Sequence, residues 1–386
     1  GEAGEFRELV ASEPEARETF ETAKGLEGLK RQWGVHAAGV IMSSEPIIDV
    51  IPIMRRFQDG QVITQFDYPT SEGLGLIKMD FLGLRNLTII SDAIANIELN
   101  RGFHLDLEQL ALDDAESYRL LARGDTLGVF QLDGGGLQGL LRLMQPDNFE
   151  DISATLALYR PGPMGAQSHT NYALRKNNQQ PITPIHPELE EPLRDILDTT
   201  YGLIIYQEQV MAIAQKVAGY TLGQADLLRR AMGKKIAEEM AKERPKFVEG
   251  SKAQGVDEKK AGEVFDLLEK FANYGFNKSH SAAYAILTYQ TAWLKANHPV
   301  EFMAAVMNCD IHLTDKLAVY RREVDKMGIE VIAPSVNRSQ PMFSVDEGRI
   351  VYALGALKNV GVEAMKTLVA ARGDRPFRDL TDFARR

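Results

Sequence analysis

One acidic residue, Asp80 in the run LIKMDFLGLRNL (76–87), is placed where metal chemistry is conceivable. It is a single carboxylate in an apolar, β-like stretch, and an anion is costly to bury there unless a partner such as a metal ion accompanies it. Two-metal phosphoryl transfer needs at least two such carboxylates, because two cations ~4 Å apart must share anionic ligands. An aspartate at the end of a strand that caps the next helix explains the residue equally well, so both interpretations stay open.

Positive charge gathers in the segment AGYTLGQADLLRRAMGKK (218–235). The spacing predicts a helix that buries an apolar stripe formed by Ala225, Leu228 and Met232. Arg230 and Lys234 stand one turn apart on another face beside Arg229, and no acidic residue follows them before Glu238. Clustered guanidinium groups suit polyphosphate oxygens because each offers a planar, bidentate fork. A solvated helix face is the commoner explanation of such a charge run, and it is the alternative to phosphate binding.

The segment YGFNKSHSAAYA (274–285) leads into a predicted helix that starts near Ser281 and stops before Pro299. The apolar stripe of this helix is formed by Ala282, Ile286, Tyr289 and Trp293. The expected cap is one of two serines, Ser279 or Ser281. Lys278 and His280 would add positive charge at a helix N-terminus, where free N–H groups and the helix dipole attract anions. The alternative is an ordinary capped helix with a solvated lysine.

Two further strings, LYRPGPM (158–164) and YGLIIYQEQVM (201–211), place polar side chains among apolar ones. Pro161 predicts an extended backbone at Arg160. The guanidinium of Arg160 either reaches a phosphate or forms an ordinary salt bridge. The polar residues at the head of the second string either contact a nucleotide or form a buried hydrogen-bonded cluster; they are Tyr206, Gln207 and Glu208.

The segment GALKNVGVEAMKTLVAARG (355–373) is predicted to form two short helices around a glycine-containing hairpin at Gly361. It is similar to a helix-hairpin-helix, in which hairpin N–H groups hold a DNA backbone phosphate without reading its sequence. Lys358 and Lys366 supply positive charge beside that hairpin.

The helices and strands that must position these residues are predicted from the spacing of apolar residues along the chain. Helical spacing is expected over residues 1–33, and short β-like runs from 34 to about 90 predict a small sheet. Helical patterns then dominate up to about residue 328. The remainder, 331–386, mixes two helices with a hairpin that turns at Asp346-Glu347-Gly348. The predicted fold class is therefore α+β and mostly α.

Composition bounds the class of protein. At 386 residues, 44% apolar and 25% charged, the chain is expected to form compact, soluble units, roughly two to four of them. No stretch approaches the ~20 apolar residues of a membrane helix, and the start GEAGEFRELV has no secretory signal. The single cysteine, Cys309, excludes an intramolecular disulfide and fits a reducing cytoplasm, and no zinc-ligand spacing occurs.

The net charge of −10 argues against a protein that coats nucleic acid with its whole surface. The distribution of charge matters more than its sum. Lysine and arginine crowd into residues 229–260, whereas acidic residues collect in 105–118 and 187–198. Composition therefore leaves the function undecided.

Several strings, taken in order along the chain, resemble the alpha subunit family of bacterial DNA polymerase III, the C-family of replicative polymerases. They are GVHAAGV, KMDFLGLRNL, GVFQLDGGG, LYRPGPM, YGLIIYQEQVM, GYTLGQADLLRRAMGKK and KFANYGFNKSHSAAYA. The resemblance runs from about residue 15 to the end of the sequence. It implies a partial polymerase-beta-like nucleotidyltransferase palm sheet followed by a large helical fingers domain.

The resemblance also implies a domain order and an activity. Residues 1–33 would end the thumb, 34–90 would form the C-terminal part of the palm, 91–330 the fingers, and 331–386 the start of the helix-hairpin-helix and clamp-binding region. The implied reaction is template-directed transfer of a nucleotide from a deoxynucleoside triphosphate (dNTP) to a primer 3′-hydroxyl, in cytoplasmic chromosome replication. The implied cofactor is a pair of Mg²⁺ ions in the full-length enzyme. Its implied partners are primer–template DNA, dNTPs, the sliding clamp, the clamp loader and the proofreading exonuclease subunit, with no membrane.

The same resemblance gives the candidate residues roles. Asp80 takes the place of the third catalytic carboxylate, which is a metal ligand. The triphosphate is expected to contact a cationic set made of Arg160, Arg229, Arg230, Lys278 and His280. DNA is expected to contact a second set made of Lys234, Lys235, Lys358 and Gly361.

One departure from the family pattern is central. The family's other two catalytic aspartates belong to a Pro-Asp-Phe-Asp-x-Asp motif, which this sequence lacks. The PHP domain, the clamp-binding motif and the OB domain are also expected to lie outside it. We therefore expect an internal fragment that does not extend primers alone. The alternatives are the error-prone, damage-inducible relative of the alpha subunit and a noncatalytic DNA-binding fragment; a purely structural scaffold would leave the arginine cluster without a partner.

Overall fold

The computed structural model describes residues 3–234, 237–272 and 274–386, except for the side chains of residues 188, 233, 234, 237, 239 and 272. The chain divides into two compact units, Gly1–Leu84 (unit 1) and Arg85–Arg386 (unit 2). Helices dominate the described residues and the strands form small sheets, so the predicted α+β, mostly α class is confirmed. No helix in this described part is long and apolar enough to span a membrane.

Unit 1 contains helices α1 (Gly4–Ser12), α2 (Pro14–Leu26) and α3 (Tyr68–Gly73) and strands β1 (Gly39–Met42), β2 (Ile53–Arg55), β3 (Val62–Thr64) and β4 (Ile77–Asp80). The strands form two separate antiparallel pairs, β1 with β4 and β2 with β3. The prediction of one small sheet is therefore wrong. Pro46 and Pro52 flank a 3₁₀ turn, Ile47–Asp49, and lack the N–H donors that a continuing ladder needs.

The structure contradicts the predicted helix over residues 1–33 in two places. Glu13 is extended, with φ −109° and ψ 118°, because Pro14 follows it and starts a new helix. Residues 27–33 are not helical, and Gly28 adopts a φ of +85°, a left-handed conformation that suits glycine. Helices α1 and α2 pack through the rings of Phe6 and Phe20, whose centroids lie 5.6 Å apart.

Most of unit 2 is helical, as predicted up to about residue 328. Its helices are α4 (Arg85–Arg101), α5 (Ala115–Arg123), α6 (Gly135–Met144), α7 (Phe149–Leu158), α8 (Pro161–Gly165), α9 (Ser168–Lys176), α10 (Glu190–Leu197), α11 (Gln207–Ala218), α12 (Leu222–Lys234), α13 (Ala237–Ala253), α14 (Glu258–Ala272), α15 (Lys278–Asn297), α16 (Pro299–Cys309), α17 (Thr314–Lys326), α18 (Val362–Arg372) and α19 (Leu380–Arg385). One apolar cluster joins α4, α16 and α17, a second joins α10 to α14, and a third packs α15 against α5, α6 and α7.

Two of the predicted helices can be compared in detail. In α12 the stripe of Ala225, Leu228 and Met232 is buried, which confirms that prediction. Helix α15 ends before Pro299 as predicted but starts at Lys278, so neither predicted serine caps it. Asn277 caps the helix instead, because its Oδ1 accepts the His280 N–H at 2.7 Å. The buried face of α15 is also rotated: Tyr289 is buried, whereas the other members of the predicted stripe are half-buried.

The C-terminal part contains strands β5 (Val331–Ile332), β6 (Ser344–Asp346) and β7 (Arg349–Val351), in the spatial order β5-β7-β6. The predicted hairpin is confirmed, but Asp346 pairs with Arg349, which shortens the loop to Glu347 and Gly348, both at positive φ. Of the two helices predicted in 355–373 only α18 forms. The first is a 3₁₀ turn, Leu354–Ala356, in which Gly355 leaves no room for a side chain: a Cβ there would lie 2.6 Å from Val362 and 2.7 Å from the Pro341 carbonyl oxygen.

Candidate functional site

Asp80, the candidate metal ligand, is the last residue of β4 and faces Gly39 of β1. Its side chain is 49% exposed, and the neighbouring apolar side chains of Ile77, Met79 and Phe81 are exposed as well. The expectation of a carboxylate buried in an apolar strand is therefore wrong for this chain. The next helix begins only at Arg85, which leaves the helix-capping interpretation without support.

One basic side chain pairs with the Asp80 carboxylate, and a histidine lies nearby. Lys78 Nζ lies 3.4 Å from Oδ2, and His36 Nδ1 lies 3.8 Å from Oδ1. That ring nitrogen accepts the N–H groups of Ala38 and Gly39 at 3.1 and 2.7 Å, so it presents a lone pair rather than a proton. Within the described ranges no three His, Cys, Asp or Glu side chains are grouped to hold a metal ion. These residues therefore offer one candidate ligand and do not fit a two-metal centre by themselves.

The cationic candidates of unit 2 surround a short bridge between residues that lie far apart in the sequence. Phe276 donates its N–H to the Ile205 carbonyl at 2.9 Å, and Gln207 donates to the Phe276 carbonyl at 2.9 Å. The buried Tyr206 hydroxyl lies 3.1 Å from Ser153 Oγ. Burial raises the pKa of Tyr206 to about 12, so its hydroxyl keeps its proton at neutral pH. We call this element the 206–276 bridge; for Tyr206 the buried-cluster interpretation is confirmed.

Arg160 reaches the bridge from the N-terminus of α8. Its backbone is extended, with φ −144° and ψ 155°, as Pro161 predicts. The guanidinium donates to the carbonyls of Ala157 and Tyr274 at 2.9 and 2.7 Å and lies 4.5 Å from the centre of the Phe276 ring. No carboxylate of the described residues pairs with this side chain, so the salt-bridge interpretation gains no support. Burial lowers the pKa of Arg160 from its ordinary value.

Lys278 and His280 stand in the first turn of α15. Lys278 Nζ lies 5.4 Å from the Tyr206 ring centre and 3.5 Å from Glu150. The His280 ring stacks on Tyr284, with centroids 4.4 Å apart, and meets the edge of Phe276 at 5.5 Å. Both side chains therefore contact the aromatic residues of the bridge or their neighbours.

An anion does bind at the N-terminus of α15, but it belongs to the protein. The two carboxylate oxygens of Glu208 accept the Lys278 N–H at 3.1 and 3.0 Å, and Asn277 Nδ2 donates to the same carboxylate at 3.1 Å. This arrangement satisfies N–H groups that a helix N-terminus otherwise leaves open. Glu208 therefore locks the start of α15 to the start of α11.

Arg229 and Arg230 share a counter-ion that the sequence argument missed. The first acidic residue downstream of them is Glu238, whereas Asp226 lies one turn upstream. Its Oδ1 accepts from Arg229 Nε and Nη2 at 2.9 and 2.7 Å, and its Oδ2 lies 2.9 Å from Arg230 Nε. Hydrogen bonding from Arg229 lowers the pKa of Asp226. Arg229 Nη1 also donates to Gln207 Oε1 at 3.1 Å, which ties it to the bridge.

The structure thus brings four of the five triphosphate candidates onto one element. Arg160, Arg229, Lys278 and His280 each contact a residue of the 206–276 bridge. Arg230 is 63% exposed and joins them only through Asp226. Guanidinium, ammonium and imidazole groups beside aromatic faces can bind phosphate oxygens and a flat ring together.

The DNA-binding candidates are only partly described. Lys235 and the side chain of Lys234 lie outside the described residues. Gly361 is the N-cap residue of α18, and Lys358 is exposed on the turn before it. Lys366 pairs with Glu363 at 2.7 Å on the surface of the same helix.

Replacing Glu208 by glutamine is expected to lower the free energy of unfolding by about 1.5 kcal/mol, because charge-assisted hydrogen bonds to a helix N-terminus are lost. Urea denaturation followed by circular dichroism measures the change. Glu150→Gln is the matched control: Glu150 also stands in the first turn of a helix, but its one ion pair among the described residues is an exposed contact with Lys278, and its loss is expected to cost less than about 0.5 kcal/mol. Equal losses in the two variants would show that Glu208 does not lock the helix.

Three family models match the chain. They are described as the bacterial DNA polymerase III alpha subunit finger domain, at residues 86–255, the bacterial DNA polymerase III alpha NTPase domain, at residues 1–83, and the helix-hairpin-helix motif, at residues 328–386. Proteins named DNA polymerase III subunit alpha are similar over 99% of this chain: 54% identical in Mycobacterium tuberculosis H37Rv, 49% in Thermus aquaticus and 46% in Pseudomonas aeruginosa. The chain covers 32%, 31% and 33% of these proteins, about a third of their length.

Proposed function

The chain belongs to the family of bacterial DNA polymerase III alpha subunits. On that premise we propose that it carries the nucleotide-binding part of the DNA polymerase of bacterial chromosome replication. The observation that carries this proposal is the convergence of Arg160, Arg229, Lys278 and His280 on the 206–276 bridge. The whole reaction is template-directed transfer of a nucleotide from a dNTP to the primer 3′-hydroxyl. The domain order proposed for the chain is thumb end, palm, fingers and helix-hairpin-helix, with the boundaries given above.

In this proposal the arginines bind the triphosphate of the incoming nucleotide. Arg229 and Arg230 exchange Asp226 for phosphate oxygens, which fit their planar forks better than one shared carboxylate does. Lys278 adds positive charge, and the rings of Phe276 and His280 offer an apolar surface to the rest of the nucleotide. The protein need not read the base, because template pairing selects it. Positioned cations of this kind also stabilise charge that develops on the phosphates during transfer.

Asp80 is proposed as a catalytic carboxylate and a ligand of Mg²⁺. When bound, Mg²⁺ would neutralise charge on the phosphates and lower the pKa of the attacking hydroxyl. The described residues supply one carboxylate, next to Lys78, and a two-metal centre requires more. We therefore propose that the isolated 386-residue chain does not extend primers.

Two other functions remain candidates. The error-prone relative of the alpha subunit would use the same residues and would differ in fidelity when the complete protein copies DNA. A noncatalytic DNA-binding role is favoured by the helix-hairpin-helix match at residues 328–386. In that case backbone phosphates would be held without any response to dNTP.

The chain is expected to bind a fluorescent primer–template with an affinity that falls linearly with salt on logarithmic axes, because bound cations displace counterions from DNA. Addition of the dNTP that pairs with the next template base should tighten binding by about tenfold, since one ligand then contacts both the protein and the template. Fluorescence anisotropy over a salt series measures both effects.

The controls are a mismatched dNTP, which should have little effect, and Lys358→Ala, which should weaken DNA binding equally with and without dNTP. Binding that is indifferent to every dNTP would instead support the noncatalytic role.

A further inference from the structure

A pocket lies in unit 2 and is lined in part by Gly162 and Tyr274. Its volume is about 610 Å³, within the range of small-molecule sites. Its wall comes from α8, from α9, from the segments 183–185 and 202–204, and from the end of α14 with Tyr274. Apolar and neutral polar side chains alternate around it, including Ala166, Ser168, Asn171, Thr183 and Phe271. The charged residues of this lining are Arg175 and Lys270, and no acidic residue is among them.

Arg175 has far fewer partners than a buried arginine requires. It is only 8% exposed, and its Nη1 donates to the Tyr201 carbonyl at 3.0 Å. Its Nε is buried without a hydrogen-bond partner, and no carboxylate of the described chain pairs with it. Burial lowers the pKa of Arg175. A buried charge without an anionic partner is unfavourable, so an anion bound in the cavity beside Arg175 would stabilise it.

A second buried arginine shows that burial alone does not leave a guanidinium group without hydrogen-bond partners. Arg372 is also 8% exposed, but its Nη1 donates to the carbonyls of Val336 and Ser339 at 3.0 and 2.8 Å. None of its side-chain nitrogens is an unpartnered buried atom. Arg175 differs in that it lines an open cavity, in which a ligand can lie beside its guanidinium group.

We propose that the Arg175 cavity binds a small organic oxyanion, a phosphate monoester or carboxylate attached to a flat apolar body. Two oxygens of the anion would accept from the guanidinium fork, and Lys270 would add charge at the mouth. The flat body would lie against Phe271 and Tyr274.

The cavity also has a physical connection to the candidate nucleotide site. The Tyr274 ring lies directly over Gly162, where even a Cβ would overlap it, and the Tyr274 carbonyl accepts from Arg160. A ligand against this ring is therefore expected to shift the NMR signals of Arg160. The binding proposal itself does not depend on the proposed polymerase function.

The test uses ¹⁹F NMR titration of the 386-residue chain with 4-fluorophenyl phosphate and 4-fluorobenzoate, which distinguish a phosphate from a carboxylate ligand. The neutral analogue 4-fluorobenzamide should bind at least tenfold more weakly than the better anion. Arg175→Gln should weaken anion binding at least tenfold while its melting temperature stays equal or rises, because the variant removes an uncompensated buried charge.

Arg372→Gln and Arg229→Ala should leave anion binding unchanged, and the second of these separates the cavity from the candidate nucleotide site. Thr183→Trp, at an exposed lining position, should block the cavity and decides the matter if Arg175→Gln does not fold. Equal binding of the benzamide, full binding by Thr183→Trp or loss of binding in Arg229→Ala would overturn the proposal.

Discussion

Primer extension is expected to fall by a factor of about 10³ or more when Asp80 is replaced by asparagine, because a neutral amide no longer contributes anionic charge to the metal-binding centre. The assay requires a polypeptide that joins this chain to the flanking parts of a relative such as the M. tuberculosis alpha subunit, of which the chain covers 32%. Extension of a labelled primer by one nucleotide, measured at saturating dNTP and Mg²⁺, reports the rate. Raising Mg²⁺ should recover only a small part of the activity.

The structure indicates that this substitution should change catalysis without changing the stability of the fold. Asp80 is 49% exposed, and its ion pair with Lys78 is a surface contact worth about 0–1 kcal/mol. The asparagine variant should therefore fold normally. Asp49→Asn is the matched control, because Asp49 is an exposed aspartate of the same unit outside the candidate site. If Asp80→Asn extends primers as fast as the parent, the assignment of Asp80 as the catalytic carboxylate of the palm is wrong.

Local signals in the sequence were sufficient for some elements. The stripe of Ala225, Leu228 and Met232 predicted α12 because helical periodicity is a property of one segment. Pro161 predicted the extended backbone of Arg160 for the same reason. Errors arose where neighbouring signals compete. In α15 the asparagine at 277 outcompetes the serines that follow it, and an extended rather than helical backbone precedes Lys278.

The candidate site depends on contacts that no local pattern contains. Tyr206 and Phe276 meet only through the tertiary fold. The sequence therefore indicates two separate candidate segments but not that they form one bridge. The pairing of Asp226 with the two arginines, by contrast, follows from their spacing of three and four residues along one helix. Arg175 gave no signal at all, because an arginine in an amphipathic helix looks like any other surface cation until the fold buries it.

Asp226 fixes the positions of Arg229 and Arg230 without neutralising their combined charge. One carboxylate is shared by two guanidinium groups, so the local charge of these three groups is positive. In the proposed function, a triphosphate, which offers more oxygens and more charge than Asp226, would displace this carboxylate from both arginines. Arg229, 27% exposed and tied to Gln207, is the better positioned of the two, whereas Arg230 is exposed and less constrained.

Replacing Arg229 by alanine in the same joined polypeptide is therefore expected to reduce kcat/KM for dNTP by about 10²–10³-fold, through loss of charge-assisted contacts in the transition state. Single-turnover extension over a range of dNTP concentrations separates KM from kcat. Arg229→Lys should recover only part of the loss, because an ammonium group cannot replace the planar fork. Arg230→Ala should have the same sign and a smaller effect, since Arg230 does not contact the bridge.

The matched control is Arg321→Ala on α17, where an exposed arginine pairs with Asp325 one turn away, as Arg230 pairs with Asp226. That variant should keep full activity. The stability of Arg229→Ala should change by less than about 1 kcal/mol, because Arg230 remains to pair with Asp226. A normal kcat/KM in Arg229→Ala would place the triphosphate elsewhere. A loss in Arg321→Ala as large as the loss in Arg229→Ala would mean that charge anywhere on the surface sets the affinity for dNTP, and the 206–276 bridge would then have no special role.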